Sequence, residues 1–129
     1  MLRILLVEDS NADARLTGEI LKDTGIEHEL VWINEGKKAL ELIESDGNFD
    51  LFILDLNLPK SSGLELVSVL RKLEKFRKTP VIMMTGSISP MDRTRAEADY
   101  LVHYMVKPMS IEEMDRTVEA IKEIVLKRQ

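Results

Sequence analysis

Five short apolar runs punctuate the chain: Ile4–Val7, Leu30–Ile33, Leu51–Leu54, Val81–Met84 and Leu101–Val106. Most are continuously apolar rather than alternating, the pattern of strands covered on both faces. Between them the apolar positions take helical spacing. Ala12, Leu16 and Ile20 recur every four residues, and Gly25 stands where a C-terminal cap belongs. Asn34 can cap a helix that carries Ala39, Leu40 and Ile43. Leu66, Val69, Leu70 and Leu73 follow the i, i+3, i+4, i+7 rule. Ser89-Pro90 reads as a cap with proline at the first helical position, and Ser110-Ile111-Glu112-Glu113 as a capping box. Ile111, Met114, Val118, Ile121 and Val125 then form a stripe too short for a coiled-coil seam and suited to a core face. Strand and helix thus alternate five times. Such alternation predicts an α/β fold, one parallel sheet with helices on both faces and right-handed crossovers. Function in sheets of this kind gathers at the carboxyl ends of the strands, near the switch in strand order.

Composition narrows the function classes. With 129 residues, 44% hydrophobic and 32% charged, the chain suits one globular domain spanning 1–129. A formal net charge of -5 disfavours nonspecific binding to nucleic acid or anionic membrane. The absence of cysteine excludes disulfides, thiolate metal sites and cysteine catalysis. No stretch approaches the ~20 apolar residues that span a bilayer. Met1-Leu2-Arg3 runs directly into the first strand, leaving no room for a signal peptide, so a cytoplasmic location is expected.

The strand ends carry the candidate chemistry. Glu8-Asp9, Asp55, Thr85 and Lys107 each follow an apolar run, those of strands one, three, four and five. Each has an ordinary reading alone: Asp55 as a turn starter, Glu8-Asp9 as a helix cap, Thr85-Gly86 as a turn, Lys107 as a solvated lysine. Their joint placement points elsewhere. If strand one lies beside strand three, three carboxylates converge and resist ionising together. A divalent cation resolves that conflict, and oxygen-only ligands favour Mg2+. His28 and His103 are not placed to join. Lys107 adds a positive charge, Thr85 a hydroxyl, and Gly86 leaves space beside it. A metal, a cation and a hydroxyl around one carboxylate suit a phosphoryl group, and Asp55 is then a plausible nucleophile.

In order, Leu5-Leu6-Val7-Glu8-Asp9, Leu54-Asp55-Leu56-Asn57-Leu58-Pro59, Met84-Thr85-Gly86 and Val106-Lys107-Pro108 resemble the receiver domains of two-component response regulators, with Gly63 matching a glycine usual after the phosphoacceptor loop. The resemblance covers essentially the whole chain. It implies a flavodoxin-like, doubly wound (βα)5 fold with strand order 2-1-3-4-5. It implies that Asp55 accepts a phosphoryl group from a sensor histidine kinase or a histidine phosphotransfer protein, the chain catalysing only its own phosphorylation and dephosphorylation. Asp9, Asp55 and the carbonyl of Asn57 would ligate Mg2+, with Glu8 acting through a metal-bound water. Lys107 would pair with the phosphoryl oxygens, across a bond to Pro108 that is commonly cis in the family. Thr85 and Tyr104 would switch, reshaping the face of the fourth helix, fifth strand and last helix for a downstream protein target. No DNA-binding domain is expected, and a phosphorylation-linked homodimer is left open. The alternative is a receiver-like interaction module that works without phosphorylation. Leu56-Asn57-Leu58-Pro59 with Glu8-Asp9-Ser10-Asn11-Ala12-Asp13 looks most like single-domain, chemotaxis-regulator-like proteins that partner phytochrome-type kinases. Tyr100 and Leu101 depart from the Gly-Ala usual before strand five. Asn57 and Ser87 flank the attacking water's path in the family, and their small polar side chains imply dephosphorylation that is not unusually slow.

Overall fold

The computed structural model describes residues 1–45, 47–59, 62–86, 89–91, 94 and 101–127. The apolar runs become β1 (Leu2–Val7), β2 (His28–Ile33), β3 (Leu51–Asp55), β4 (Val81–Thr85) and β5 (Val102–Val106). They pair in parallel in the order β2-β1-β3-β4-β5. Sequence and resemblance together therefore gave the correct sheet. The helices are α1 (Asn11–Asp23), α2 (Gly36–Glu44), α3 (Gly63–Lys72) and α4 (Ile111–Lys127), with a 3-10 turn at Glu74–Phe76. Between β4 and β5, Pro90, Met91 and Thr94 are helical, in keeping with a helix start at Ser89-Pro90. Ser87 and Tyr100 lie outside the described residues; the Leu101 carbonyl accepts the Val81 N–H at 2.9 Å.

Alternation along the strands divides the core into two layers. Leu2, Ile4, Leu6, Leu51, Ile53, Ile82 and Met84 pack with Ile20 and Leu21 of α1 and Val118, Ile121 and Val125 of α4. Leu5, Val7, Phe52, Leu54, Val81 and Met83 face the other way, onto Ala39 and Ile43 of α2 and Leu66 and Leu70 of α3. Each fully buried Leu, Ile or Phe contributes about 1.5–3 kcal/mol, so both layers hold the sheet between its helices. Phe52 and Phe76 meet edge to face at 5.1 Å between ring centroids.

Three local expectations need correction. β2 and β5 are only partly covered, because each is an edge strand, whereas β1, β3 and β4 are buried almost throughout. Glu35, not Asn34, is the N-cap of α2, and its side chain makes no cap hydrogen bond. At α4, Ser110 Oγ accepts the Glu113 N–H at 3.1 Å, but Glu113 Oε2 reaches back to the Met109 N–H at 2.6 Å, one residue beyond the box. Gly25 does end α1, with φ +71°, the left-handed conformation that glycine tolerates.

Candidate functional site

Strand register carries the functional residues to one place. Val7 pairs with Leu54, Asp55 with Met84 and Thr85 with Val106, so Glu8, Asp55, Thr85 and Lys107 leave the sheet side by side. The order reverses between β1 and β3, and the crevice at that switch is where α/β sheets place ligands. The ends are also tied together. The Lys107 N–H donates to the Thr85 carbonyl at 2.7 Å, and the Leu56 N–H to the Met84 carbonyl at 3.2 Å.

Asp55 is buried, with Oδ1 accepting the Asn57 N–H at 3.0 Å and Oδ2 3.1 Å from Lys107 Nζ. Gly63 lets the start of α3 close over this turn: its N–H donates to Leu56, and an added Cβ would lie 2.6 Å from the Asp55 carbonyl oxygen. Glu8 is also buried and lies 2.8 Å from Lys107 Nζ, with Oε2 accepting the Ser10 N–H at 3.2 Å. Asp9 is exposed at the rim. One carboxylate oxygen from each of Glu8, Asp9 and Asp55 lies within 4.8 Å of the other two. Burial and the neighbouring Asp55 push Glu8 up to about 7, against the lowering pull of Lys107 and Ser10. Burial acts upward on Asp55 too, but hydrogen bonds from Asn57, Glu8 and Lys107 outweigh it and hold Asp55 below the usual carboxylate range. The two neighbouring acids are thus pushed in opposite directions, Glu8 up and Asp55 down. For Lys107, burial is overcome by Asp13, Glu8 and Asp55, which keep the ammonium charged.

The remaining predicted residues are near but differently exposed. Thr85 is fully buried at the end of β4, Gly86 faces open space, and Asn57 is exposed. Tyr104 pairs with Met83 and packs partly buried against the α2–α3 layer. His28 opens β2 and His103 sits early in β5, both away from the cluster. The Lys107–Pro108 bond is trans, not the cis form the resemblance implied; an X–Pro bond favours trans by about 0.5–1 kcal/mol.

Two residues escaped the sequence reading as site components. Asp13 Oδ2 lies 2.8 Å from Lys107 Nζ. Trp32, the single tryptophan, donates its indole N–H to the Glu8 carbonyl at 2.8 Å, while the Glu8 N–H donates to Ile33 at 3.1 Å. The end of β2 therefore clamps the backbone of the acid loop on both sides. Asp13 offered a faint signal, an acid in the first turn of α1; Trp32 offered only its place near a strand end.

The family model described as "Response regulator receiver domain" matches residues 4–119. The chain belongs to the response regulator receiver domains. As a receiver domain it is a signalling switch rather than an enzyme acting on outside substrates, and receiver domains take phosphoryl groups from histidine kinases. It is 39% identical over 125 residues to the probable methanogenesis regulatory protein FilR2 of Methanothrix harundinacea, covering 93% of this chain and 81% of that protein. It is 34% identical over 128 residues to the response regulator Rcp1 of Synechocystis sp., covering 92% and 85%. The Mn2+-bound crystal structure of Rcp1 superimposes with a TM-score of 0.82 at 31% identity, over 95% of this receiver and 93% of that chain. The phosphorylated cyanobacterial phytochrome response regulator RcpA superimposes with a TM-score of 0.84 at 28% identity, over 99% and 96%. The acidic cluster of this receiver domain, all oxygen and without histidine, fits a divalent cation. Among the described residues no helix is long and apolar enough to cross a membrane.

Proposed function

We propose that residues 1–129 act as one phosphoacceptor switch, with Asp55 as the acceptor. The observation that carries this reading is the placement of Asp55: a buried carboxylate at the end of β3, 3.1 Å from the Lys107 ammonium and within 4.8 Å of Glu8 and Asp9. An Asp55 carboxylate oxygen attacks the phosphorus of a phosphohistidine. The P–N bond breaks, the imidazole leaves and takes up a proton, and an acyl phosphate remains on Asp55. Asp55 is held below the usual carboxylate range, so it is ionised and ready to attack at neutral pH. Lys107 and the Thr85 hydroxyl then meet the phosphoryl oxygens, and exposed Gly86 leaves them room. Asp9, Asp55 and the Asn57 carbonyl would hold Mg2+ directly, with Glu8 through a water. The cation supplies neutralisation of charge on the phosphoryl oxygens.

The donor is a sensor histidine kinase or histidine phosphotransfer protein, and likeness to a phytochrome response regulator makes a phytochrome-type kinase the first to try. Such a donor goes with a cytoplasmic location. Thr85 and Tyr104 relay the change to β5, α4 and the segment before β5, where a downstream protein binds. Exposed Val106, Ile111 and Leu126 supply apolar contact on that side. Incubation with radiolabelled acetyl phosphate tests the reading. Label should enter the wild type with Mg2+, vanish with a chelator, and be absent in Asp55→Asn. A wild type that stays unlabelled with Mg2+ would instead favour an interaction module that works without phosphorylation.

A further inference from the structure

Lys107 and a divalent cation would draw on the same two carboxylates. The ammonium lies 2.8 Å from Glu8 Oε1 and 3.1 Å from Asp55 Oδ2, and both acids belong to the carboxylate cluster that fits a metal. An ammonium has three N–H donors. The third goes to Asp13 Oδ2 at 2.8 Å. Asp13 is not a member of the cluster. It sits in the first turn of α1, where its N–H donates to Ser10 Oγ at 3.2 Å and its carbonyl accepts from Thr17 Oγ1 at 2.9 Å. Its backbone is thus fixed, and its carboxylate reaches the ammonium from outside the group that would take the metal.

We propose that Asp13 is a positioning residue that holds Lys107 when a divalent cation engages Asp55 and, through a water, Glu8, so that lysine and metal occupy the pocket together. The inference rests on the phosphoacceptor reading above. Two effects act in the same direction. The Asp13 charge itself favours a cation nearby, and a retained partner for Lys107 eases its displacement from the other two acids. The Asp13 side chain is partly exposed, at 38%, so the effect is modest.

Calorimetric titration with Mg2+ at fixed pH and ionic strength tests the inference. Asp13→Asn keeps the shape and the backbone cap; its Kd for Mg2+ should be about two- to five-fold above wild type. Asp13→Glu should recover most of the affinity. In a Lys107→Met background there is no ammonium to hold, so Asp13→Asn should change Kd distinctly less. An equal loss in both backgrounds would reduce Asp13 to bulk charge and overturn the inference, as would an unchanged Kd in Asp13→Asn. A wild type that neither binds Mg2+ nor takes label from acetyl phosphate would sink the parent reading instead, which separates the two failures.

Discussion

Glu8 has a strongly displaced ionisation, and the displacement has a sign. Its carboxyl rises from 4.5 to about 7 on folding, so its contribution to stability is present below about pH 4.5 and is lost as pH rises through about 7. Glu8→Gln mimics the protonated form. Without divalent metal, the thermal midpoint of Glu8→Gln relative to wild type should therefore climb as pH is raised from about 4.5 to about 7 and level off above; a flat difference across that range contradicts the raised Glu8. Mg2+ should stabilise the wild type more at about pH 8 than at about pH 6, because the metal needs the acids deprotonated. Gly63 makes a separate prediction. In Gly63→Ala the new Cβ would sit 2.6 Å from the Asp55 carbonyl oxygen and 3.0 Å from Met83 Sδ, so the turn must shift. A loss of about 1–3 kcal/mol should appear in denaturant unfolding, with slower labelling by acetyl phosphate. At this scale the sequence was legible where residues close strands, as with Asp55 and Lys107. It gave only a faint signal for Asp13, because acids are common in the first turn of helices for electrostatic reasons and its partner is 94 residues away.

The elements show which patterns can be read and which cannot. β1, β3 and β4 are uninterrupted apolar runs because helices cover both of their faces. β2 was found by the same signal, yet its exposed edge and the polar His28 and Glu29 at its start were not anticipated from Leu30–Ile33. The Asn34 cap failed because helix starts are decided by backbone geometry as well as by residue type, and Glu35 takes the extended N-cap conformation. Ser10 is the cap that bears on function, since α1 holds Asp13 and follows the acid loop. Ser10→Ala should cost about 1 kcal/mol in thermal or denaturant unfolding and weaken Mg2+ binding; unchanged stability would mean the 3.2 Å hydrogen bond to Asp13 contributes nothing. Trp32, donating to the Glu8 carbonyl, makes the end of β2 a natural fluorescent reporter of the same loop.

For the whole molecule, the sheet order places four strand ends in one crevice, and that convergence turns ordinary turn residues into a site. The α/β alternation made this architecture legible before any contact was known, and the ordered motifs supplied the strand order. The rim around β5 was less legible, since β5 is an edge strand whose residues are only partly covered, so apolar pattern alone does not say which of them pack on the core. Everything in the functional reading depends on which carboxylate becomes modified. The most direct measurement is reduction of the acetyl-phosphate-treated protein with borohydride, which converts an acyl-phosphorylated aspartate to homoserine, followed by peptide mapping by mass spectrometry. Homoserine at position 55, and only when Mg2+ was present, is the predicted result. Modification at Asp9 or Asp13 instead, or none at any carboxylate, would contradict it.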